Sequence, residues 1–148
     1  MTEAQKIQVV ETAKKYIGTP YERGTEPENA TKAIDCSLLT QLAYKSAGIE
    51  IGRSSILQAS EKSGTEIVPS KDFSNLEVGD LIFSRSDRGF YYDELFGYRK
   101  ICIGHVVIYI GNGEIINSRK SKGGVLIEKL DDLIKESPNY EIVLVKRF

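Results

Sequence analysis

The chain has 148 residues, of which 41% are hydrophobic and 28% are charged, a composition typical of one folded domain rather than a disordered chain. Its 20 Lys and Arg residues balance 21 Asp and Glu residues, so it lacks the basic excess of nucleic-acid binders. The longest notable apolar run, 106–110, is far too short to span a membrane. We therefore expect a single, monomeric domain over residues 1–148 that binds neither nucleic acid nor membrane.

A predicted helix opens the chain over residues 3–17. Thr2 is a preferred N-cap residue, and Gln5 three positions later completes a capping box, in which each side chain bonds the other residue's backbone N–H. Gly18 supplies a stop after the last turn. Apolar residues then recur at helical spacing, which predicts one buried face. That face consists of Ile7, Val10, Ala13 and Ile17.

A turn-rich loop over 18–34 leads to two further predicted helices. The first of these is predicted over 35–48, with Asp35 as a preferred N-cap residue. Ser54 or Ser55 is then predicted to cap a shorter helix that runs to about residue 62. The first half of the chain is therefore predicted to be helical.

The second half has the period and composition of β-strands. Two of its strands are joined by the Gly-Asn-Gly sequence of 111–113, which is typical of a hairpin. A short helical piece is predicted over 131–135. The predicted strands cover residues 81–83, 104–110, 115–117, 125–130 and 140–145. Helices followed by an antiparallel meander predict an α+β fold.

Cys36 lies in the first turn of the helix predicted over 35–48. Unpaired N–H groups and the helix dipole stabilise a thiolate there, and cysteines at such positions have pKa values well below the free value of about 8.5. This position favours a nucleophilic cysteine. The alternative is a small buried apolar residue, which is the commoner role of cysteine.

His105 is the only histidine of the chain, and a base that titrates near neutral pH is what a nucleophilic thiol needs. The alternative is a lone surface or capping histidine. A three-residue hairpin loop would place Ile110 opposite Glu114 and Val107 opposite Asn117, so that His105 and Asn117 share a face. A two-residue loop without a bulge would separate them. An Asn beside an imidazole fixes its tautomer, as in Cys-His-Asn sites.

Five segments, in order along the chain, resemble motifs of the NlpC/p60 family of papain-like cysteine peptidases, which act on cell walls. The motifs are a Gly-x-Pro-Tyr segment, an Asp-Cys-Ser helix start, an Arg-Ser-Ser…Gln helix start, a Gly-Asp-Leu strand and a His-Val-x-Ile-Tyr-Ile-Gly-x-Gly hairpin. The matching residues are 18–21, 35–37, 53–55 with Gln58, 76–83 and 105–113. The similarity extends over nearly the whole chain.

The resemblance implies a papain-like α+β fold, with N-terminal helices packed on a C-terminal antiparallel sheet. It implies Cys36 as nucleophile, His105 as general base and Asn117 as the third polar residue. Tyr21 would stabilise an oxyanion or position the substrate. The implied substrate-binding residues are Asp35, Ser37, Arg53 and Ser54. The implied substrate is a peptidoglycan stem peptide, cut after its γ-linked D-glutamate through a thioester acyl-enzyme, without a metal or an organic cofactor.

The sequence departs from the family pattern at several positions. Leu38 stands where the family nearly always has Gly, Thr25 replaces the second of two glycines, and Val107 stands where a small residue is common. A bulky side chain at position 38 would narrow the cleft or change the packing beneath it. These departures bear on the identity of the substrate more than on that of the nucleophile.

The segment 84–104 is longer than a plain connection between strands, and it is rich in aromatic residues. It is either a lid that grips a substrate or partner, or a loop that packs a satellite cluster onto the body. Cys102 at its end is interpreted as an ordinary thiol rather than a rival nucleophile or a redox partner of Cys36. The basic residues of 119–122 are interpreted as a solvated hairpin end, with an anionic substrate as the alternative.

Two other functions stay open at this point. One is an amidase or acyltransferase on a non-wall substrate, since fold alone does not define the substrate. The other is an inactive domain that binds a peptide or protein through the aromatic segment. Residues 1–6 lack the basic and apolar regions of a signal peptide, which predicts a cytoplasmic location, or release by an unconventional or phage-type route.

Overall fold

The computed structural model describes residues 1–86 and 89–148. The helices are α1 (Glu3–Lys14), α2 (Cys36–Ser46), α3 (Ser55–Ser60) and α4 (Leu130–Ile134), with 3-10 turns at Pro27–Asn29, Asp93–Phe96 and Lys120–Lys122. The strands are β1 (Thr65–Ile67), β2 (Leu81–Ser84), β3 (Phe90–Tyr91), β4 (Cys102–Ile103), β5 (His105–Gly111), β6 (Glu114–Arg119), β7 (Gly124–Lys129) and β8 (Ile142–Arg147). None of the helices formed by the described residues is long and apolar enough to cross a bilayer.

Helix α1 has the predicted capping box, with Thr2 and Gln5 each accepting a hydrogen bond from the other's backbone. Its predicted apolar face is wrong in two places, because Ile7 is 63% and Ile17 50% exposed. The helix ends at Lys14, so Ile17 lies in the turn beyond it. The residues that α1 buries are Val9, Val10 and Ala13. At about 100° per residue, Ile7 lies about 120° around the helix from the centre of that face.

Both shorter N-terminal helices begin where their cap residues predict. The Asp35 carboxylate accepts a hydrogen bond of 2.8 Å from the N–H of Leu38, which is the N-cap contact. The Ser54 hydroxyl does the same for the N–H of Leu57, so Ser54 rather than Ser55 is the cap. The N-terminus of α2 is therefore defined by a local contact of three residues' span.

A six-stranded antiparallel sheet forms the centre of the molecule, in the order β1-β8-β2-β5-β6-β7. The predicted strands are all present, and β2, β5, β6 and β7 are neighbours in chain order. The meander ends at β7, because β8 pairs with β2 and β1 instead of β7. The short edge strand β1 and the separate pair β3-β4 were not predicted. Each is three residues long or shorter, too short to show an alternating pattern.

Two hydrophobic cores cover the two faces of this sheet. The first lies under the N-terminal helices and includes Val9, Leu39, Tyr44, Phe83, Val106, Ile108 and Ile116. The second lies under α4 and includes Ile82, Val107, Tyr109, Ile115, Leu130 and Leu133. Neighbouring strand residues alternate between the two cores, as the pleat requires. The N-terminal helices thus pack on the C-terminal sheet, as predicted.

The β5–β6 hairpin has the predicted register through a different turn. Its loop has two residues, Asn112 and Gly113, both with positive φ, as a type I′ turn requires. The register shifts near this turn, where Gly111 rather than Ile110 lies opposite Glu114. Ile110 is thus the extra residue of a β-bulge. Beyond the bulge the register is the one predicted for a three-residue loop.

Candidate active site

One cavity of about 1100 Å³ lies between the start of α2 and the start of β5. Seven of the eight residues predicted for the site line it, namely Tyr21, Asp35, Cys36, Ser37, Arg53, Ser54 and His105. The eighth, Asn117, lies behind His105 and contacts it. The chain therefore brings all eight residues together from five separate positions along the sequence.

Cys36 is the first residue of α2, and its side chain lies at the wall of this cavity with the residue 8% exposed. The backbone of Val106 and that of Ser37 hydrogen bond to its sulfur. Because Val106 directly follows His105, the first of these contacts holds the sulfur beside the start of β5. Helix α2 packs on β5 and β6, and this packing places Cys36 and His105 at the same cavity.

The expected low pKa of Cys36 is wrong for the free protein. Burial and, to a smaller extent, the charge of Asp35 raise the pKa of the thiol to about 12. The two backbone hydrogen bonds and Arg53 act in the opposite direction but are weaker. The helix start alone therefore does not ionise this cysteine, because the thiol is buried and a carboxylate lies in the same turn. At neutral pH the free protein holds a protonated thiol.

His105 is 5% exposed and makes the contact predicted with Asn117. Its Nε2 lies 2.9 Å from Oδ1 of Asn117, and its ring meets the edge of the Tyr140 ring at a centroid distance of 5.2 Å. Burial lowers the pKa of His105 to about 4, although the Asn117 bond acts to raise it. The imidazole is therefore neutral at pH 7 and able to accept a proton.

An ion pair behind Asn117 was not predicted. Nδ2 of Asn117 lies 3.2 Å from a Glu128 carboxylate oxygen. Arg119 donates to the same carboxylate through Nε at 3.0 Å and a terminal nitrogen at 2.8 Å, and to Glu136 at 2.7 Å. The signal in the sequence was the strand period of two, which places Arg119 on the same face as Asn117. The interpretation of Arg119 as part of a solvated basic patch is therefore wrong, since it is 2% exposed.

Asp35 and Arg53 form a second ion pair at the opposite wall. Two nitrogens of Arg53 contact the two carboxylate oxygens of Asp35 at 3.0 and 2.8 Å, the bidentate geometry that Arg favours. Arg53 also donates to the Ser37 hydroxyl at 3.0 Å, and the N–H of Gly24 donates to Asp35 at 2.9 Å. These contacts tie the loop before α2 to the start of α3 and give this wall a fixed shape.

The segment predicted as a lid or a satellite loop has features of both, apart from Asp87 and Arg88, which lie outside the described residues. Phe96 is buried in the first core together with Ile103. Phe90 lines the cavity although it is 55% exposed. The segment thus packs one side onto the body and presents the other at the cavity. Its remaining exposed aromatic residues are Tyr91, Tyr92 and Tyr98.

Two further residues singled out in the sequence lie away from the cavity wall. Leu38 is fully buried in the first core, so it changes the packing beneath the cavity rather than narrowing it. Cys102 is a free, half-buried cysteine on β4, where it pairs with Tyr91. Among the described residues, no group of three His, Cys, Asp or Glu side chains could hold a metal ion.

Residues 18–140 match the family model described as the NlpC/P60 family. That range covers most of the chain, and the chain belongs to the NlpC/P60 family. It has the α+β fold of that family: a solved NlpC/P60 family protein of Bacillus cereus superposes with a TM-score of 0.71 at 30% identity, over 97% of this chain and 40% of that one. The predicted fold class is confirmed.

Two curated relatives are hydrolases. Over 124 residues the chain is 34% identical to a gamma-D-glutamyl-L-lysine dipeptidyl-peptidase of Bacillus cereus, covering 83% of this chain and 31% of that protein. Over 117 residues it is 36% identical to the bifunctional muramidase/DL-endopeptidase CwlT of Bacillus subtilis, covering 76% of this chain and 29% of that protein. The chain thus spans about a third of the length of these relatives.

Proposed function

We propose that the chain is a cysteine peptidase that hydrolyses an amide bond of a peptidoglycan stem peptide at a γ-D-glutamyl linkage. The observation that carries the proposal is the arrangement around His105. This residue lines the same cavity as Cys36, and its Nε2 contacts Asn117. A thiol, a base and a group that orients the base are the components of nucleophilic cysteine catalysis. The two curated relatives, a dipeptidyl-peptidase and an endopeptidase, support the same conclusion.

In the proposed reaction, the Cys36 sulfur attacks the scissile carbonyl carbon as the thiol proton moves to Nδ1 of His105. The bond between carbon and nitrogen then breaks, and the imidazolium returns the proton to the leaving amine. A water molecule, deprotonated by the same imidazole, attacks the thioester and releases the acid product and the thiol. Since both groups are neutral at rest, proton transfer accompanies the attack rather than preceding it.

The negative oxygen that forms during the attack needs donors at the start of α2. Cys36 is the first residue of the helix, so its backbone N–H has no acceptor within the helix. The Tyr21 side chain lies at the same cavity, where its hydroxyl would be a second donor. Losing one such donor typically costs about 100- to 1,000-fold in rate. Asp35, Ser37, Arg53 and Ser54 would then line the substrate side.

The experiment that tests this function is product analysis by mass spectrometry with the tripeptide L-Ala-γ-D-Glu-L-Lys and its α-linked isomer. We expect wild-type protein and Cys102→Ala to release lysine from the γ-linked peptide alone, and Cys36→Ala to release none. Retained hydrolysis in Cys36→Ala would overturn the assignment of the nucleophile. If wild-type protein cleaves neither peptide, the stem-peptide substrate is wrong, and the amidase or acyltransferase alternative would be favoured.

A second candidate function is peptide binding without turnover. The observation that favours it is the row of exposed aromatic residues beside the cavity, where Phe90, Tyr91 and Tyr92 are 55, 58 and 49% exposed. Exposed aromatic side chains are typical of binding surfaces. Isothermal titration with the same tripeptide separates the two functions, because a binding domain would retain the intact peptide at unchanged affinity in Cys36→Ala and would never release lysine.

A further inference from the structure

Glu128 lies behind the base, and its carboxylate determines which way the Asn117 amide points. A carboxylate only accepts hydrogen bonds, so the group of Asn117 that faces Glu128 at 3.2 Å is the NH₂ group. The amide oxygen is then the atom that faces Nε2 of His105 at 2.9 Å. An amide oxygen also only accepts, so Nε2 must carry the proton. Nδ1 is left unprotonated, as the nitrogen that accepts the thiol proton.

Arg119 holds Glu128 in the position that this orientation needs. Its guanidinium contacts both carboxylate oxygens of Glu128, while another nitrogen contacts Glu136 at 2.7 Å. The guanidinium also lies over the Tyr140 ring at 5.0 Å, and that ring meets the edge of His105. Arg119 and Tyr140 therefore pack beside the base, and both also line the cavity.

The burial of this ion pair is unusual for a pair with only a stabilising role. The Arg119 side chain is 1% exposed and that of Glu128 is 9% exposed. A buried ion pair is often no more stable than apolar residues of similar volume, because both charges lose their hydration. The pair lies one hydrogen bond behind the residue that contacts His105, where a fixed charge orients an amide that would otherwise have two nearly equivalent positions.

We propose that Glu128 is a positioning residue for the general base: held by Arg119, it fixes the Asn117 amide and through it the Nε2–H tautomer of His105. The proposal rests on the proposed function in that it names the residue that prepares the base of that reaction. The site then includes an ion pair between Arg119 on β6 and Glu128 on β7. Arg119 also lines the cavity, whereas Glu128 reaches His105 only through Asn117.

The test is ¹⁵N nuclear magnetic resonance of the imidazole at neutral pH, which needs no substrate and has one histidine to report. We expect a protonated Nε2 and an unprotonated Nδ1 in wild-type protein. Glu128→Ala should give a mixture of tautomers and lower kcat by about tenfold or more, with KM little changed, because the base is misplaced. Glu128→Gln, which keeps an oxygen acceptor, should restore the wild-type spectrum and most of kcat.

Glu136→Gln is the matched control. Glu136 also accepts a hydrogen bond from Arg119, but the Asn117 amide bonds Glu128 instead. This variant should keep both the tautomer and kcat. The proposal is overturned if Glu128→Ala keeps the wild-type spectrum, or if Glu136→Gln changes it equally. Should Glu128→Ala not fold, the double variant Arg119→Met with Glu128→Leu removes both buried charges together, and the same mixture of tautomers is expected.

The proposed function and this inference fail separately. If the wild-type imidazole shows the Nε2–H tautomer and Glu128→Ala loses it while neither tripeptide is cleaved, the positioning stands and the substrate is wrong. If the tripeptide is cleaved through Cys36 and Glu128→Ala retains both the tautomer and kcat, the function stands and the positioning role is overturned.

Discussion

The two walls of the cavity are built in different ways. The helix wall, defined here as residues 35–37 with Arg53, is held by contacts of short sequence span and by one bidentate ion pair. The strand wall, defined as His105 with Asn117, Arg119 and Glu128, is held by a chain of side chains from three adjacent strands. One wall presents the nucleophile and the other presents the base.

The difference determines what a substitution does at each wall. At the helix wall the hydrogen bonds fix the backbone from which the cysteine projects, so a change there lowers stability first. At the strand wall the hydrogen bonds fix a ring and its proton, so a change there alters the reactivity of the base.

The two walls should act as one unit in catalysis. Cys36→Ala and His105→Gln should each lower kcat by on the order of 10⁶-fold if the site behaves as a nucleophile–base pair does in a comparable triad. The double variant should be no worse than either single variant, because neither group is useful without the other. Single-turnover product analysis measures all three rates. Additive losses would show that the two walls contribute independently.

The buried imidazole should make the stability of the strand wall depend on pH. Burial lowers the pKa of His105 from 6.5 to about 4, so the imidazole binds a proton more tightly in the unfolded chain than in the folded protein. The contribution of the neutral His105 to the free energy of unfolding is therefore complete above about pH 6.5 and is lost as pH falls towards 4. The loss is about 3 kcal/mol.

Urea unfolding of wild-type protein and His105→Gln at pH 7 and pH 4 measures this contribution as the change in their difference. Groups that titrate in both proteins cancel in that comparison. A difference that stays constant between the two pH values would mean that the imidazole is not buried in its neutral form.

Breaking the ion pair of the helix wall should cost stability before activity. Arg53→Met removes both bonds to the Asp35 carboxylate, which stays buried with its backbone donors, and should lower the free energy of unfolding by about 2 kcal/mol. Arg53→Lys keeps the charge without the bidentate geometry, so its free energy of unfolding should lie between those of wild-type protein and Arg53→Met. Urea unfolding at pH 7 provides the measurement. A loss of kcat in Arg53→Met at unchanged stability would place Arg53 in the chemistry instead.

The smallest effect is expected at the aromatic segment beside both walls. Phe90→Ala should raise KM by about threefold and change the free energy of unfolding by less than about 0.5 kcal/mol, as for an exposed position. Tyr98→Ala is the matched control, since Tyr98 is 77% exposed on the same segment. Steady-state kinetics and thermal unfolding of both variants decide this. Equal effects of the two substitutions on KM would remove the special role of Phe90.

The helix wall could largely be predicted from the sequence, because its contacts are local. The N-cap role of Asp35 involves a residue three positions away, and cap preferences are strong. The partner of Asp35 could not be predicted, since Arg53 reaches it through tertiary packing. The pKa of Cys36 was predicted in the wrong direction for a similar reason, as burial is a property of the whole fold.

The strand wall could be predicted only as far as one hairpin. Strand period placed Asn117 beside His105 only for a three-residue loop, and a two-residue loop without a bulge would have separated them. The structure reaches the same register through a two-residue loop and a bulge, which the sequence did not indicate. Glu128 and Arg119 are paired across a second, longer connection that contains a 3-10 turn at Lys120–Lys122. Its Gly123-Gly124 sequence indicates a turn but does not define the register of the two strands. A prediction with the wrong register would place none of these side chains correctly, because a shift of one residue moves every side chain to the other face.

The rate at which iodoacetamide alkylates Cys36 between pH 3.5 and 10 shows whether this cysteine reacts through a neutral His105. Peptide mapping by mass spectrometry resolves the rate for this cysteine. We expect a plateau from about pH 5 upwards that falls away on the acid side as His105 is protonated near pH 4, and a loss of the plateau in His105→Gln. A wild-type rate that climbs about tenfold per pH unit towards 8.5, as for a free thiol, would contradict the account.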